Sequence, residues 1–170
     1  MDVKDVIENN NNNKEIVLKA VSENGKFLDL VSDELKNDKE VVMVALEQDP
    51  ESLEFASDNL KNDKEVILKG VKGAPWTICY ASEKLRDDKE LFIEACKNYG
   101  QALYYASESL RADKEIVKLA VENKGIIIKY ASKELINDKE LALIAVKQNK
   151  QAYHFISEEL KQDEEIKALL

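Results

Sequence analysis

The side chains best able to do chemistry are few in this chain. His154 is the only imidazole among 170 residues, and Cys79 and Cys96 are the only thiols. Zinc takes three or four nitrogen or sulfur ligands at short spacing, and no second His or Cys stands at ligand spacing from His154. The two cysteines have no paired pattern and read as reduced thiols. Serines recur at 32, 57, 82, 107, 132 and 157. A nucleophile is one serine beside one base, so six evenly spaced copies read as structure. The 34 acidic residues follow a regular pattern too. A glycoside-type acid and base pair needs two carboxylates that stand apart from such a pattern, and none does. There is no glycine-rich phosphate loop and no Gly-x-Ser-x-Gly elbow. The expectation is a chain that is not an enzyme, with no metal and no cofactor.

The serines belong to a repeat that governs the whole sequence. Asp-Lys-Glu begins at Asp38, Asp63, Asp88, Asp113 and Asp138. Asn13-Lys14-Glu15 precedes the series and Asp163-Glu164-Glu165 closes it. The spacing is 25 residues without insertion, and Leu35, Leu60, Leu85, Leu110, Leu135 and Leu160 keep step with the serines. Self-similarity at such a period is the mark of a repeat architecture. The sequence therefore divides into an N-terminal cap with an Asn-rich segment (1–12), six 25-residue α-hairpin repeats (13–162), and a partial capping helix (163–170). The Asn-rich run is expected to be loose.

Each repeat predicts two short helices. In the first, Val41, Val42, Ala45 and Leu46 show the i, i+3, i+4 pattern of one helical face. The Asp of the anchor suits its N-cap, and the Glu suits the positive end of the helix dipole. The Lys between them opposes that dipole, which implies a contact with an acidic neighbour. Twelve places after the anchor stand Gly25, Pro50, Pro75, Gly100, Gly125 and Lys150. Glycine there predicts a left-handed C-cap. Proline cannot take positive φ, so the second and third repeats are expected to turn differently, with Asp49 as a cap and Ala74 as a poor one. The second helix carries Leu53, Phe55, Ala56 and Leu60. It either runs through the serine or breaks there into two pieces, since Ser-Glu and Ser-Asp are N-cap signals.

Helices this short are marginal alone, and one hairpin leaves apolar residues exposed on both sides. Stacking of successive units buries them. The predicted fold is all-α, an α-solenoid of two-helix 25-residue repeats winding as a right-handed superhelix. Tyr80-Ala81-Ser82-Glu83-Lys84-Leu85-Arg86-Asp87-Asp88-Lys89-Glu90, followed by an apolar-rich segment ending Asn98-Tyr99-Gly100, resembles a repeat family. It is a tandem domain of unknown function found in bacteria, protists and large viruses, whose unit is about two of these repeats long. The resemblance covers nearly the whole chain from Asn13 and implies a helical array without a catalytic residue to transfer. Gly70 and Gly73-Ala74-Pro75-Trp76 depart from the pattern. The period is also similar, more weakly, to leucine-rich variant repeats.

The repeated columns are scaffold, so recognition belongs where repeats differ. The places thirteen, sixteen and twenty after the anchor form one line on the second helix and avoid the apolar columns. In the outer repeats this line is polar, as in Glu51, Glu54 and Asp58. In the middle it carries Trp76, Cys79, Tyr104, Ile126 and Lys129. These five residues are the expected partner-binding surface, because large apolar and aromatic groups at solvent positions mark interaction sites. Tyr80, Tyr105 and Tyr130, with Phe55 and Phe155, coincide with Leu30 of the first repeat and read as a core or half-core column.

The net charge of −9 disfavours nucleic acid, Lys118, Lys124, Lys129 and Lys133 being the one local basic strip. No apolar run approaches the ~20 residues that span a bilayer, and the N-terminus lacks a basic start and an apolar signal. The expected setting is cytoplasmic. The expected role is a non-enzymatic scaffold for protein–protein interaction, with an unknown protein partner. The alternative is a structural or regulatory module with no ligand of its own.

Overall fold

The structure, a computed structural model, describes residues 3–170. Met1 and Asp2, part of the expected N-terminal cap, lie outside the described residues. Among the described residues every regular element is helical. The chain divides into two compact units, one ending at Leu85 and one running Arg86–Leu170.

Each repeat opens with a ten-residue α-helix. These are Lys14–Glu23, Lys39–Gln48 and Lys64–Gly73 in the first unit, and Lys89–Asn98, Lys114–Asn123 and Lys139–Gln148 in the second. The anchor residue caps each one. Asp38 Oδ1 accepts from the backbone N–H groups of Glu40 (3.0 Å) and Val41 (3.3 Å), and Asn13 does the same more simply for Ile16. Val41, Val42, Ala45 and Leu46 are buried, and Ile116, Val117, Ala120 and Val121 repeat the pattern. Within each unit the helices pack against those of the next repeat, so each unit is a stretch of all-α solenoid.

After the helix the chain makes the same turn six times. One extended residue, such as Asn24 (φ −150°, ψ 109°), leads into a six-residue 3₁₀ helix. The 3₁₀ helices are Gly25–Leu30, Pro50–Phe55, Pro75–Tyr80, Gly100–Tyr105, Gly125–Tyr130 and Lys150–Phe155. The expected left-handed C-cap is absent: no described residue has a positive φ, glycines included. The proline-containing turns are not different, because the twelfth place opens the 3₁₀ helix, where proline's missing N–H is not needed. Glycine serves proximity instead. A Cβ on Gly125 would lie 2.2 Å from the carbonyl oxygen of Ala145 in the next repeat. Its N–H donates to Gln148 Oε1 at 2.6 Å. Where Pro50 has no N–H to give, the facing residue is Gly73, whose added Cβ would meet Pro50 Cγ at 2.3 Å.

The return leg breaks at the serine, one of the two readings the sequence left open. Ser57 Oγ accepts from Leu60 N–H at 3.3 Å and starts the one-turn helix Asp58–Lys61. The corresponding pieces Glu83–Asp87 and Leu160–Gln162 are 3₁₀ in form. The same serine reaches the preceding repeat. Its N–H donates to the Lys36 carbonyl at 3.0 Å, and its Oγ–H donates to Asn37 Oδ1 at 2.6 Å. Ser132 and Ser157 donate in the same way to the carbonyls of Arg111 and Ile136. The serine column is thus a cap and an inter-repeat clasp at once.

The anchor lysine finds its acidic neighbours in the next anchor. Lys39 Nζ lies 2.8 Å from Asp63 Oδ2 and 2.7 Å from Glu65 Oε2. Lys114 bridges Asp138 (2.7 Å) and Glu140 (2.9 Å), and Lys118 adds a second cation on Glu140 at 2.7 Å. Hydrogen bonds from Lys118 and then Lys114 pull the Glu140 carboxyl down to about 2. The Lys39 hydrogen bond lowers Asp63, and the Asp63 hydrogen bond raises Lys39. Exposed pairs of this kind add little net stability, so the ladder bears on register more than on stability.

The Asn-rich segment is not loose. After the helix Val3–Asn9, Asn10 and Asn13 N–H donate to the carbonyls of Ile7 and Asn10, both at 2.9 Å. The Asn11 carbonyl accepts from Ser32 N–H at 2.9 Å. It therefore supplies the first repeat with the acceptor that later serines find in a preceding repeat. Ile7 and Ile166 are buried at the two ends, while Leu170 is exposed.

Two outcomes follow from these contacts. Asp38, Asp63, Asp113, Asp138, Asp163 and Glu140 titrate lower folded than unfolded, so their contribution is complete above the ordinary carboxylate range and is lost as pH falls through their lowered values; Lys14, Lys39, Lys89, Lys114 and Lys139, raised by folding, lose theirs only above the ordinary lysine value. Urea unfolding should give a flat stability plateau across neutral pH with an acid limb, and Asp113→Ala should lower the plateau by about 1–2 kcal/mol and shrink that limb. Gly125→Ala should cost about 1–3 kcal/mol by overpacking. Unchanged unfolding midpoints would show that the Ala145 backbone moves aside freely.

Candidate functional site

The second unit carries a cleft of about 380 Å³ between its 3₁₀ helices Gly100–Tyr105 and Gly125–Tyr130. Its walls hold four tyrosines, Tyr99, Tyr104, Tyr105 and Tyr130, together with Ile126, Lys124 and Lys129. No carboxylate lines it. The lining comes from equivalent places in two successive repeats, so the repeat spacing itself places the tyrosines side by side.

Tyr104 is the centre of the cluster and is 55% exposed. It packs edge-on against Tyr105 (5.0 Å between ring centroids, 81°) and Tyr130 (5.1 Å, 66°). Such edge contacts orient the rings through their quadrupoles. Lys129 Nζ sits 4.9 Å from the Tyr130 centroid and 5.6 Å from that of Phe155. The rings hold the ammonium by cation–π attraction. Neither Lys124 nor Lys129 has an ion-pair partner among the described residues.

A second concavity adjoins the first at Tyr130, which lines both. Arg111 and Lys133 stand on it, with Glu108 and Glu134. Arg111 Nε is buried with no hydrogen-bond partner in the described structure.

The structure brings three of the five expected residues, Tyr104, Ile126 and Lys129, into this cleft. Lys129 is exposed and Ile126 half-buried. Trp76 and Cys79 belong to the first unit. Trp76 is 46% exposed, and its Nε1–H donates to Glu51 Oε1 of the preceding repeat at 3.1 Å. Cys79 is half-buried. The tyrosine column is half-buried as expected, with Phe155 exposed, yet Tyr105 and Tyr130 also serve as cleft wall.

Sequence reasoning missed Tyr99 and placed Lys124 only in a basic strip, although a signal for both was present. Their column is the extended residue before each 3₁₀ helix. In the first, second and sixth repeats it is Asn24, Asp49 and Asn149, whose side chains cap the 3₁₀ helix by accepting from Lys26, Glu51 and Gln151 N–H. Tyr99 and Lys124 make no such cap. A lost cap costs about 1 kcal/mol, and the loss falls at three consecutive repeats, at Ala74, Tyr99 and Lys124, of which the last two line the cleft.

The sequence model for Domain of unknown function (DUF4116) matches residues 13–61, 38–86, 63–111, 88–136 and 113–161. Each match spans two of the 25-residue repeats, and together they cover most of the chain, which belongs to this family. No curated protein and no solved structure matches it. Among the described residues no helix is long and apolar enough to cross a membrane.

Trp76, tethered at its nitrogen with nearly half its surface in water, should show the red-shifted emission of a part-exposed indole and be quenched by iodide. A blue-shifted spectrum insensitive to quencher would contradict its placement. Glu51→Gln should alter the emission without moving the unfolding midpoint.

Proposed function

We propose that this chain, as a member of that family, is a non-enzymatic scaffold that holds a protein partner on the tyrosine-lined cleft of its second unit. The repeated columns are consumed by capping, burial and inter-repeat contacts. What remains free is the variable surface, and there the second unit presents Tyr104 more than half exposed beside half-buried Tyr105 and Tyr130. That exposed ring in an aromatic cluster is the observation that carries the reading. Tyrosine is a favoured interface anchor because it offers a large rigid area and a polar tip at low entropic cost. The cleft is open, and its walls offer no carboxylate, imidazole or thiol to act with the tyrosines and lysines as an acid–base or nucleophilic pair.

The test is affinity capture with the intact chain, compared with Tyr104→Ala/Ile126→Ser. Both residues lie outside the buried core, so the double variant should keep its helical spectrum and melting point. A partner retained by the native chain and lost by the variant is the expected result. Equal capture by both would place binding elsewhere, and capture of nothing specific by either would favour a module without a ligand.

A further inference from the structure

We infer that the occupant of this cleft is an acidic peptide segment of the partner, with an apolar or aromatic residue seated among the tyrosines and carboxylates meeting Lys124 and Lys129. The inference rests on the scaffold reading and adds the partner's chemistry. Three features support it. The first is unpaired positive charge. Lys124 and Lys129 stand on a cleft lined by no carboxylate, and they, with Lys133 and Arg111 beside it, have no ion-pair partner among the described residues, as several surface lysines elsewhere also do not. Lys129 is held over two rings instead. A ring face accepts no conventional hydrogen bond, so the ammonium keeps its donors for a carboxylate brought from outside.

The second feature is the contrast between the halves. Residues 1–85 carry 18 acidic and 11 basic side chains, and residues 86–170 carry 16 and 14. The cleft therefore stands on the less acidic half, with Lys124 and Lys129 on its wall. A positive rim favours an acidic partner in encounter and register.

The third is shape. The tyrosine cleft and the concavity of Arg111 and Lys133 meet at Tyr130. Two adjoining hollows with cations along them suit an extended segment better than a compact small molecule. The side chain that enters the first hollow meets ring edges and Ile126, which selects an apolar or aromatic residue. Glu108 and Glu134 flank the second hollow, so the acidic residues of the segment should concentrate on the Lys124 and Lys129 side.

The test is fluorescence anisotropy with the intact chain. The probe is a short labelled peptide of glutamates and serines around one phenylalanine, and the control has glutamine for each glutamate. The acidic probe should bind at least about tenfold more tightly than the control and weaken as salt rises. Lys124→Gln/Lys129→Gln should remove that preference while leaving the melting point unchanged. Tyr104→Ala should weaken probe and control alike. Equal binding of the two peptides, still sensitive to Tyr104→Ala, would overturn the acidic partner and leave the scaffold reading standing. Binding of neither peptide together with capture insensitive to Tyr104→Ala/Ile126→Ser would overturn both. Salt-sensitive retardation of RNA lost in Lys124→Gln/Lys129→Gln, or self-association lost in Tyr104→Ala, would also overturn the peptide occupant in favour of those ligands.

Discussion

Ten residues of α-helix do not hold together in water, because nucleation takes more free energy than so few hydrogen bonds return. Among the described residues no helix is longer than that. Each of the six ten-residue helices also carries a broad apolar face, as with Val41, Val42, Ala45 and Leu46, all buried. The structure follows from that constraint. A repeat becomes stable when another repeat covers it, and the chain supplies the cover at a fixed interval. Burial at roughly 25 cal/mol per Å² of apolar surface is the dominant favourable term, and it is shared between neighbours rather than owned by any one unit.

Apolar burial is non-directional, and directional polar contacts add to what sets the register. Two polar columns do this. The serine N–H and Oγ–H both reach back to the preceding repeat, while the anchor lysine reaches forward to the next Asp and Glu. The ladder has a polarity that the sequence writes out. The first anchor has Asn13 where later ones have Asp, and the seventh has Glu164 where earlier ones have Lys. Asn13 still caps its helix, and Asp163 and Glu165 still receive Lys139. Each terminal anchor keeps the half of the contact that its neighbour within the chain uses.

The candidate site was partly legible. Tyr104, Ile126 and Lys129 stood out because they occupy places that are polar in other repeats, and the structure gathers them into one cleft. Tyr105 and Tyr130 were read as half-core, which they are, but a half-buried ring also has an outward edge. Tyr99 escaped notice, and Lys124 was seen only as part of a basic strip, because their column looked like the end of a helix rather than the cap of a following 3₁₀ helix. With the turn assigned to a glycine C-cap, the loss of Asn or Asp there carried no meaning. Trp76 fitted the same rule as Tyr104, yet it lies in the other unit, bonded to Glu51.

The sequence by itself determined the repeat length, the helical class, the capping role of Asp and Ser, and the buried columns. These depend on periodicity and on groups within a few residues of one another, and such local relations are written directly in the chain. Only the tertiary structure decided why glycine or proline opens the return leg, which carboxylates the anchor lysine meets, that the Asn-rich run is pinned by Ser32, and which tyrosines share a cleft. Each of those is settled by a neighbour roughly one repeat away. Gly125 is small because Ala145 passes 2.2 Å from where its Cβ would be, a fact of packing distance that no local pattern of residues contains.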